Sequence, residues 1–108
     1  MSLWLRHNDA HVTMVGDEVK DLTVLAQEAD IIISGAGSPK LITPSMISAK
    51  TIIVDAGTSE DGGVLVGDVD RGCYEVAKLV SPVPGGVGPL TVVMLMKNLY
   101  ILGKARMS

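Results

Sequence analysis

The chain has 108 residues, room for one domain built on one core. Its hydrophobic fraction is 47%, its charged fraction 19%, and Phe is absent, so Val, Ile, Leu, Ala and Met must fill the interior, which suits a buried sheet. A net charge of −3, from 9 basic and 12 acidic residues with Lys40, Lys50, Lys97, Lys104 and Arg106 scattered, argues against nucleic acid as a partner. The single cysteine, Cys73, excludes an internal disulfide and a Cys-rich zinc site, and it points to a reducing cytoplasm. The longest apolar stretch, Leu90 to Leu102, is broken by Lys97 and Asn98 and is too short to cross a bilayer, so no membrane partner is expected. Met1-Ser2-Leu3 reads as a cloning leader outside the fold, and the charged run Arg6-His7-Asn8-Asp9 so near the start does not fit a signal peptide.

In chain order, His11 to Val15 is a short β-type run ended by Gly16-Asp17. Asp17 suits the N-cap of a helix carrying Val19, Leu22, Leu25 and Ala26 at helical spacing. Ile31-Ile32-Ile33 is a continuous β-branched run of the kind buried on both faces, and Gly35-Ala36-Gly37-Ser38-Pro39 is its loop. Thr43-Pro44 opens a helical turn through Ile47. Thr51 to Val54 reads as the next buried strand, with Asp55-Ala56-Gly57-Thr58 after it. Asp61-Gly62-Gly63 marks a hairpin-like turn before Val64-Leu65-Val66 and Gly67-Asp68-Val69-Asp70. Tyr74 to Lys78 reads as a helical turn, Leu79-Val80 as a fourth parallel strand, and Pro89 to about Lys104 as the last helix.

Buried strands alternating with helices, each strand followed by a loop of small residues, predict an α/β fold with a mostly parallel, doubly wound sheet. Ligands of such sheets bind outside the carboxyl ends of the strands, so the loops at Gly16-Asp17, Gly35–Pro39, Asp55–Thr58 and Val83–Pro89 should share one edge. Gly35-Ala36-Gly37 suits either ligand contact or a turn with positive φ at Gly37. Asp17 suits a ribose diol or a helix cap, and Asp55 suits orienting a ligand or capping its own loop. Two acids without a third ligand make a poor metal site, so Asp68 and Asp70 read as turn and edge residues. His7 and His11 have no nucleophile to serve, Cys73 reads as a small buried thiol, and Met94 and Met96 read as core filling.

One run stands out: Ser81-Pro82-Val83-Pro84-Gly85-Gly86-Val87-Gly88-Pro89-Leu90-Thr91. A rigid connector needs fewer glycines than this. A glycine-rich loop opening a helix at Pro89, with Thr91 in its first turn, suits contact with a flat or anionic ligand. No G-x-G-x-x-G follows the first strand, so the usual pyrophosphate loop of a dinucleotide fold is missing.

The segment PVPGGVGPLT, Pro82 to Thr91, resembles the closing motif of the methylenetetrahydrofolate dehydrogenase/cyclohydrolase family, PVPGGVGPMT, with Leu90 for Met. Ala29-Asp30-Ile31-Ile32 with Gly37 and Pro39 is similar to the family's "ADI…G.P" segment. Ile53 to Thr58 is similar to its "VIDVGIN", and Leu65-Val66-Gly67-Asp68-Val69 matches its "LVGDV". The likeness runs from about residue 8 to residue 104.

The resemblance implies a Rossmann-like NAD(P)-binding portion of an enzyme that oxidises 5,10-methylenetetrahydrofolate with NAD(P)+ and hydrolyses the methenyl product. It implies that the first Rossmann strand with its Gly-Arg-Ser phosphate loop, and the N-terminal domain carrying a Tyr-x-x-x-Lys catalytic lysine, are not in this sequence. No catalytic residue is therefore expected here, nor turnover by these residues alone. Gly35, Ala36 and Gly37 would line the cofactor, Ala56 and Thr58 would lie beside the nicotinamide ribose, and Thr91 would contact the cofactor. Pro84, Gly85, Gly86, Val87, Gly88 and Pro89 would face nicotinamide and folate together. The family commonly has His-Ser where Gly16-Asp17 stands, so Asp17 implies NAD over NADP. A homodimer is also implied, with Val64–Val69 as the candidate edge. Two other readings stay open: a non-catalytic dimerisation or interaction remnant of the same fold, and a Rossmann-like module of another oxidoreductase.

Overall fold

The computed structural model describes residues 2–16 and 21–107. Its centre is a three-stranded parallel sheet of β1 (Ile31–Ser34), β2 (Ile52–Asp55) and β5 (Leu79–Val80), in the order β1-β2-β5. β1 and β2 pair from Ile31↔Ile52 to Ser34↔Asp55, and β2 pairs β5 at Ile52↔Leu79 and Ile53↔Val80. The ladder continues past the strand ends, where the Ala56 N–H donates to the Ser34 carbonyl at 2.7 Å and the Ser81 N–H donates to the Ile53 carbonyl at 3.0 Å. All three strands therefore end at one edge. The sheet is the expected mostly parallel α/β arrangement, Rossmann-like, built where the β-branched runs lie.

Between β1 and β2 runs a long connection holding a 3-10 turn, Pro44–Met46, with Pro at its start as the sequence predicts. Between β2 and β5 lie an antiparallel hairpin, β3 (Ser59–Asp61) and β4 (Val64–Val66), and a one-turn helix, α3 (Cys73–Val76). The hairpin closes on Gly62 and Gly63, both with positive φ (59° and 82°), the two-residue turn that follows the natural twist of paired strands. A parallel bridge, Ile42↔Val69, stitches the first connection to the second.

These connections cover one face of the sheet. Period-2 alternation puts Ile32, Ser34, Ile53 and Asp55 on that face. The buried cluster is Ile42, Ile53, Val69 and Cys73, with Ile32, Leu41, Ile47, Ala77 and Val80 against it. The other face is open among the described residues. Ile31 is 57% exposed and Ile33 41%, so the expectation that this run is buried on both sides does not hold. The run is apolar throughout because β propensity acts on both faces, whereas the covering layer acts on one.

Two short helices precede the sheet, α1 (Ser2–His7) and α2 (Thr23–Glu28). α2 buries Ala26 and sits on the 3-10 turn, tied by the Gln27 amide to the Ser45 carbonyl at 3.2 Å. The capping role expected of Asp17 lies outside the described residues, as does Val19. The N-cap position is Leu22, and Asp21 just before it makes a local turn in which its carboxylate accepts the Thr23 N–H at 2.9 Å, a bond that draws its pKa below the ordinary carboxylate value. His11–Val15 forms no strand. A β-type run takes up strand structure only beside a ladder partner, and it has none among the described residues.

The last helix, α4, runs Val87–Met107. It begins two residues before the predicted Pro89. Pro is still tolerated there, because an N–H in the first turn has no intrahelical acceptor. Met94 and Met96 are 50% and 67% exposed and fill no core, and every side chain from 88 to 104 is exposed. Apolar residues stand on all sides of α4, so no single stripe directs it onto the sheet.

Cys73 has no exposed surface, and its thiol donates to the Ile42 carbonyl at 3.4 Å. Burial pushes the thiol pKa up, and the Asp70 carboxylate adds to it. The thiolate is the nucleophile, so the native chain should resist a thiol reagent at neutral pH and react at once in denaturant. Because the folded-state pKa is raised, this group's stabilisation holds at neutral pH and is lost as pH rises through that raised value. Labelling native Cys73 as fast as the unfolded thiol would contradict this placement.

Beneath the strand ends, Asp55 ties the sheet to the segment after the hairpin. One carboxylate oxygen accepts the N–H groups of Gly57 and Asp68, each at 3.0 Å, and the other accepts that of Val69 at 3.2 Å. A Cβ on Gly67 would overlap the Asp55 carboxylate. Gly67→Ala should therefore lower unfolding stability by about 1–3 kcal/mol, through overpacking. Gly103→Ala is the control. Its added Cβ meets nothing within 4 Å, and Ala in a helix interior should raise stability by about 0.5–1 kcal/mol. Urea unfolding midpoints that move together in the two variants would refute the Gly67 contact.

Candidate functional site

The edge where the parallel strands end carries three loops, each positioned by its strand. The loop after β1 leaves from Ser34, the loop after β2 from Asp55, and the loop after β5 from Ser81. The Asp55 N–H donates to the Ser81 hydroxyl at 2.8 Å, which holds the third loop to the second. A Cβ placed on Gly35 would stand 4.0 Å from the Ala56 Cβ, and one placed on Gly37 would stand 3.9 Å from the Thr58 carbonyl. The first and second loops thus run side by side. Gly35, Ala36, Gly37, Ala56 and Thr58 share one rim, as the sequence predicts for them. All five are exposed except for their backbone anchors.

The loop after β5 has a shape of its own. The Val83–Pro84 peptide is cis, Gly85 has φ +95°, and a Cβ on Gly86 would collide with the Pro82 carbonyl. The chain doubles back there before entering α4 at Val87. Pro84, Gly85, Gly88 and Pro89 are exposed, with Gly86 and Val87 half-buried. The Thr91 hydroxyl donates to the Val87 carbonyl at 3.0 Å, so its proton is held within the helix and only its lone pairs face outward. Asp17 lies outside the described residues.

Below the rim sits a buried polar tier that sequence reasoning missed. Asp68, expected at a turn or edge, has no exposed surface. One of its carboxylate oxygens accepts the Ser34 hydroxyl at 2.6 Å and the Ala36 N–H at 2.8 Å, and the other accepts the Ser38 N–H at 3.0 Å. Asp55, 1% exposed, holds Gly57, Asp68 and Val69 in the same way. Of the two readings open for Asp55, the structure favours the cap. Asp70 keeps its expected turn role, accepting the Gly72 N–H at 2.9 Å.

The two buried aspartates are reciprocal. A Cβ on Gly57 would overlap the Asp68 carboxylate, and one on Gly67 would overlap that of Asp55. Each glycine makes room for the other segment's acid. Burying two carboxylates is tolerable because each accepts three hydrogen bonds from described groups. The pattern Asp55-x-Gly57 with Gly67-Asp68 was the available signal, but it shows only once the two segments are known to meet.

The rim offers backbone, two alanines' worth of methyl surface and one hydroxyl, Thr58. That fits the sugar and ring portions of a dinucleotide, which need close approach and flat contact. It does not fit the pyrophosphate. The inward-turned N–H groups of Ala36 and Ser38 are committed to Asp68, and none of the basic side chains belongs to the rim residues named. A Tyr-x-x-x-Lys spacing does occur in this sequence, at Tyr74/Lys78 and again at Tyr100/Lys104. The Lys78 N–H bonds the Thr51 carbonyl at 2.9 Å, at the starting edge of the sheet, opposite the rim. Lys104 lies thirteen residues beyond Thr91, about 20 Å along α4.

Comparison with known proteins agrees with this geometry. Residues 1–107 match the NAD(P)-binding domain of the tetrahydrofolate dehydrogenase/cyclohydrolase family. The bifunctional protein FolD of Chlamydia trachomatis is 44% identical over 107 residues, covering 91% of this chain and 37% of its own length. The crystal structure of the bifunctional 5,10-methylenetetrahydrofolate dehydrogenase/cyclohydrolase from Thermoplasma acidophilum superposes with a TM-score of 0.84 at 26% identity, over 90% of this chain and 36% of that one. The Trypanosoma brucei enzyme, solved with NADP cofactor and an inhibitor, superposes with a TM-score of 0.70 at 35% identity, over 80% of this chain and 32% of that one. The chain spans about a third of the length of these relatives. With its fold, its closing motif and these matches in agreement, the chain belongs to the tetrahydrofolate dehydrogenase/cyclohydrolase family, and what it matches there is the NAD(P)-binding domain.

Proposed function

We propose that these residues form the cofactor wall of an enzyme that oxidises 5,10-methylenetetrahydrofolate and hydrolyses 5,10-methenyltetrahydrofolate. The observation that carries this reading is the gathering of Gly35, Ala36, Gly37, Ala56 and Thr58 on one rim at the carboxyl ends of the parallel strands. When bound there, NAD(P)+ supplies the hydride acceptor. The chain's own part is to hold it flat. Gly35 to Gly37 allow close approach, Ala56 and Thr58 border the nicotinamide ribose, and Thr91 offers its outward lone pairs. The Pro84–Pro89 loop, stiffened by its prolines, sets the boundary between nicotinamide and folate.

Asp17 favours NAD over NADP, since a carboxylate repels a 2′-phosphate and bonds a ribose diol. The Trypanosoma brucei relative with bound NADP supports NAD(P) as the cofactor class without deciding between the two. Lys78, whose N–H lies at the opposite end of the sheet, and Lys104, far along α4, support a catalytic lysine supplied from outside these residues, so turnover of folate by the 108 residues alone is not expected. A cytoplasmic setting is consistent with the lone buried thiol, and no described helix is long and apolar enough to cross a membrane.

Isothermal titration of the chain with NAD+ and NADP+ tests the reading. Binding of both, tighter for NAD+, is expected, and 5,10-methylenetetrahydrofolate added to the mixture should give no methenyl product. Tighter NADP+ binding would remove the role given to Asp17. Binding of neither would leave the interaction remnant as the better account, and methenyl formation would refute the dependence on an outside lysine.

The hairpin supports the homodimer. β3 and β4 form a two-stranded sheet whose outer edges pair with no other described strand, and Val64 and Leu65 are 56% and 44% exposed. Pairing edge to edge with a second copy would cover them. Leu65→Lys should shift the sedimenting species from dimer to monomer, and an unshifted dimer would place the interface elsewhere.

A further inference from the structure

The nucleotide would meet the rim, and the buried tier beneath it has no contact with the ligand. Asp68 is the most informative member of that tier. It is fully buried, and it lies thirty or more residues along the chain from each of the three groups that donate to it: the Ser34 hydroxyl, the Ala36 N–H and the Ser38 N–H. The two amides alternate along the loop, with Gly37 between them at φ +68°. Successive backbone N–H groups that curl inward around a left-handed residue make a concave anion site. In many nucleotide-binding proteins such a concavity takes a phosphate. Here the protein's own carboxylate fills it.

We propose that Asp68 is a positioning residue of the nucleotide site. It sets the conformation of the Gly35–Ser38 loop from beneath and does not touch the nucleotide. The proposal rests on the cofactor reading given above. Ser34, at the end of β1, fixes the carboxylate's orientation through its hydroxyl, and Asp55 fixes the Asp68 backbone by accepting its N–H at 3.0 Å. With the Ala36 and Ser38 N–H groups turned inward to Asp68, the loop does not offer those two amides to the rim. It therefore meets the ring and sugar portion of the ligand and not a phosphate. Charge-assisted bonds are the stronger class of hydrogen bond, so the loop is ordered before the ligand arrives and its ordering cost is not charged to binding.

Graded loss of the loop's bonds is the test. Asp68→Asn keeps the shape but has a single acceptor oxygen, so one of the two loop amides must lose its partner. Asp68→Ala loses both. Ser34→Ala leaves both amides bonded and removes only the orienting hydroxyl. Nucleotide affinity of the full chain, titrated with NAD+ and NADP+, should fall in the order unmodified, Ser34→Ala, Asp68→Asn, Asp68→Ala, with about a tenfold loss for Asp68→Asn.

Amide hydrogen exchange gives the second readout. Exchange at Ala36 and Ser38 should accelerate in step with the affinity loss, while Gly57 and Val69, bonded to Asp55, stay protected. If an Asp68 variant loses protection at Gly57 and Val69 as well, it has unfolded, and Ser34→Ala becomes the deciding variant, with faster exchange at Ala36 and weaker nucleotide binding still expected. Unchanged affinity in a variant whose Ala36 and Ser38 exchange freely would overturn the proposal. An unmodified chain that binds neither nucleotide would instead defeat the cofactor reading itself.

Discussion

The structure depends on an exchange of buried carboxylates between two segments. Asp55 ends the central strand and holds the backbone of residues 68 and 69. Asp68 lies in the segment it holds and in turn grips the loop after β1. Neither charge could stay buried alone, because an uncompensated carboxylate costs several kcal/mol in a protein interior. Together they are satisfied, and no described buried side-chain nitrogen or oxygen lacks a hydrogen-bond partner. The exchange is possible only because Gly57 and Gly67 have no side chains where the opposing carboxylates lie. Four residues thus join a short parallel sheet, a hairpin and the rim loops into one unit.

This has a consequence for the site. The apolar core, Ile42, Ile53, Val69 and Cys73, lies beside this polar tier on the covered face. The strands are two to four residues long and give little purchase by themselves. Loop positions at a ligand edge are ordinarily the least constrained part of an α/β fold. Here the loops after β1 and β2 are held by buried carboxylates and the loop after β5 by its prolines and the Ser81 hydroxyl. The rim loops are therefore held from beneath, although they consist almost entirely of residues too small to form contacts of their own.

The sheet was legible in the sequence because its signals are local. Ile31–Ile33, Thr51–Val54 and Leu79-Val80 are β-branched or apolar runs followed by small residues, and each gives a strand within a residue of its expected place. The hairpin turn at Gly62-Gly63 and the turn at Pro44 were legible for the same reason. Burial was not, since it depends on what covers a run. Ile31, Ile33, Met94 and Met96 have core-like side chains in exposed positions. His11–Val15 has a strand's composition and no partner to pair with among the described residues. Asp68 was hidden because its partners lie far off in sequence, and a bond from side chain to distant backbone leaves no periodicity to read.

The closing run shows how a motif can be specific without carrying reactive side chains. Gly85 is needed for its φ of +95°, Gly86 because Pro82 stands where its side chain would go, and Pro89 is acceptable because the first turn of a helix has N–H groups to spare. These residues encode a backbone shape. Gly88 differs. It has no positive φ, and a Cβ there would meet nothing within 4 Å among the described residues, so neither conformation nor described packing asks for glycine. Gly35 is nearly the same case, with only the Ala56 methyl at 4.0 Å. A glycine inside a helix's first turn costs stability relative to alanine, which an isolated fold has no reason to accept. Close approach of the nucleotide proposed above is a physical reason that glycine suits both positions.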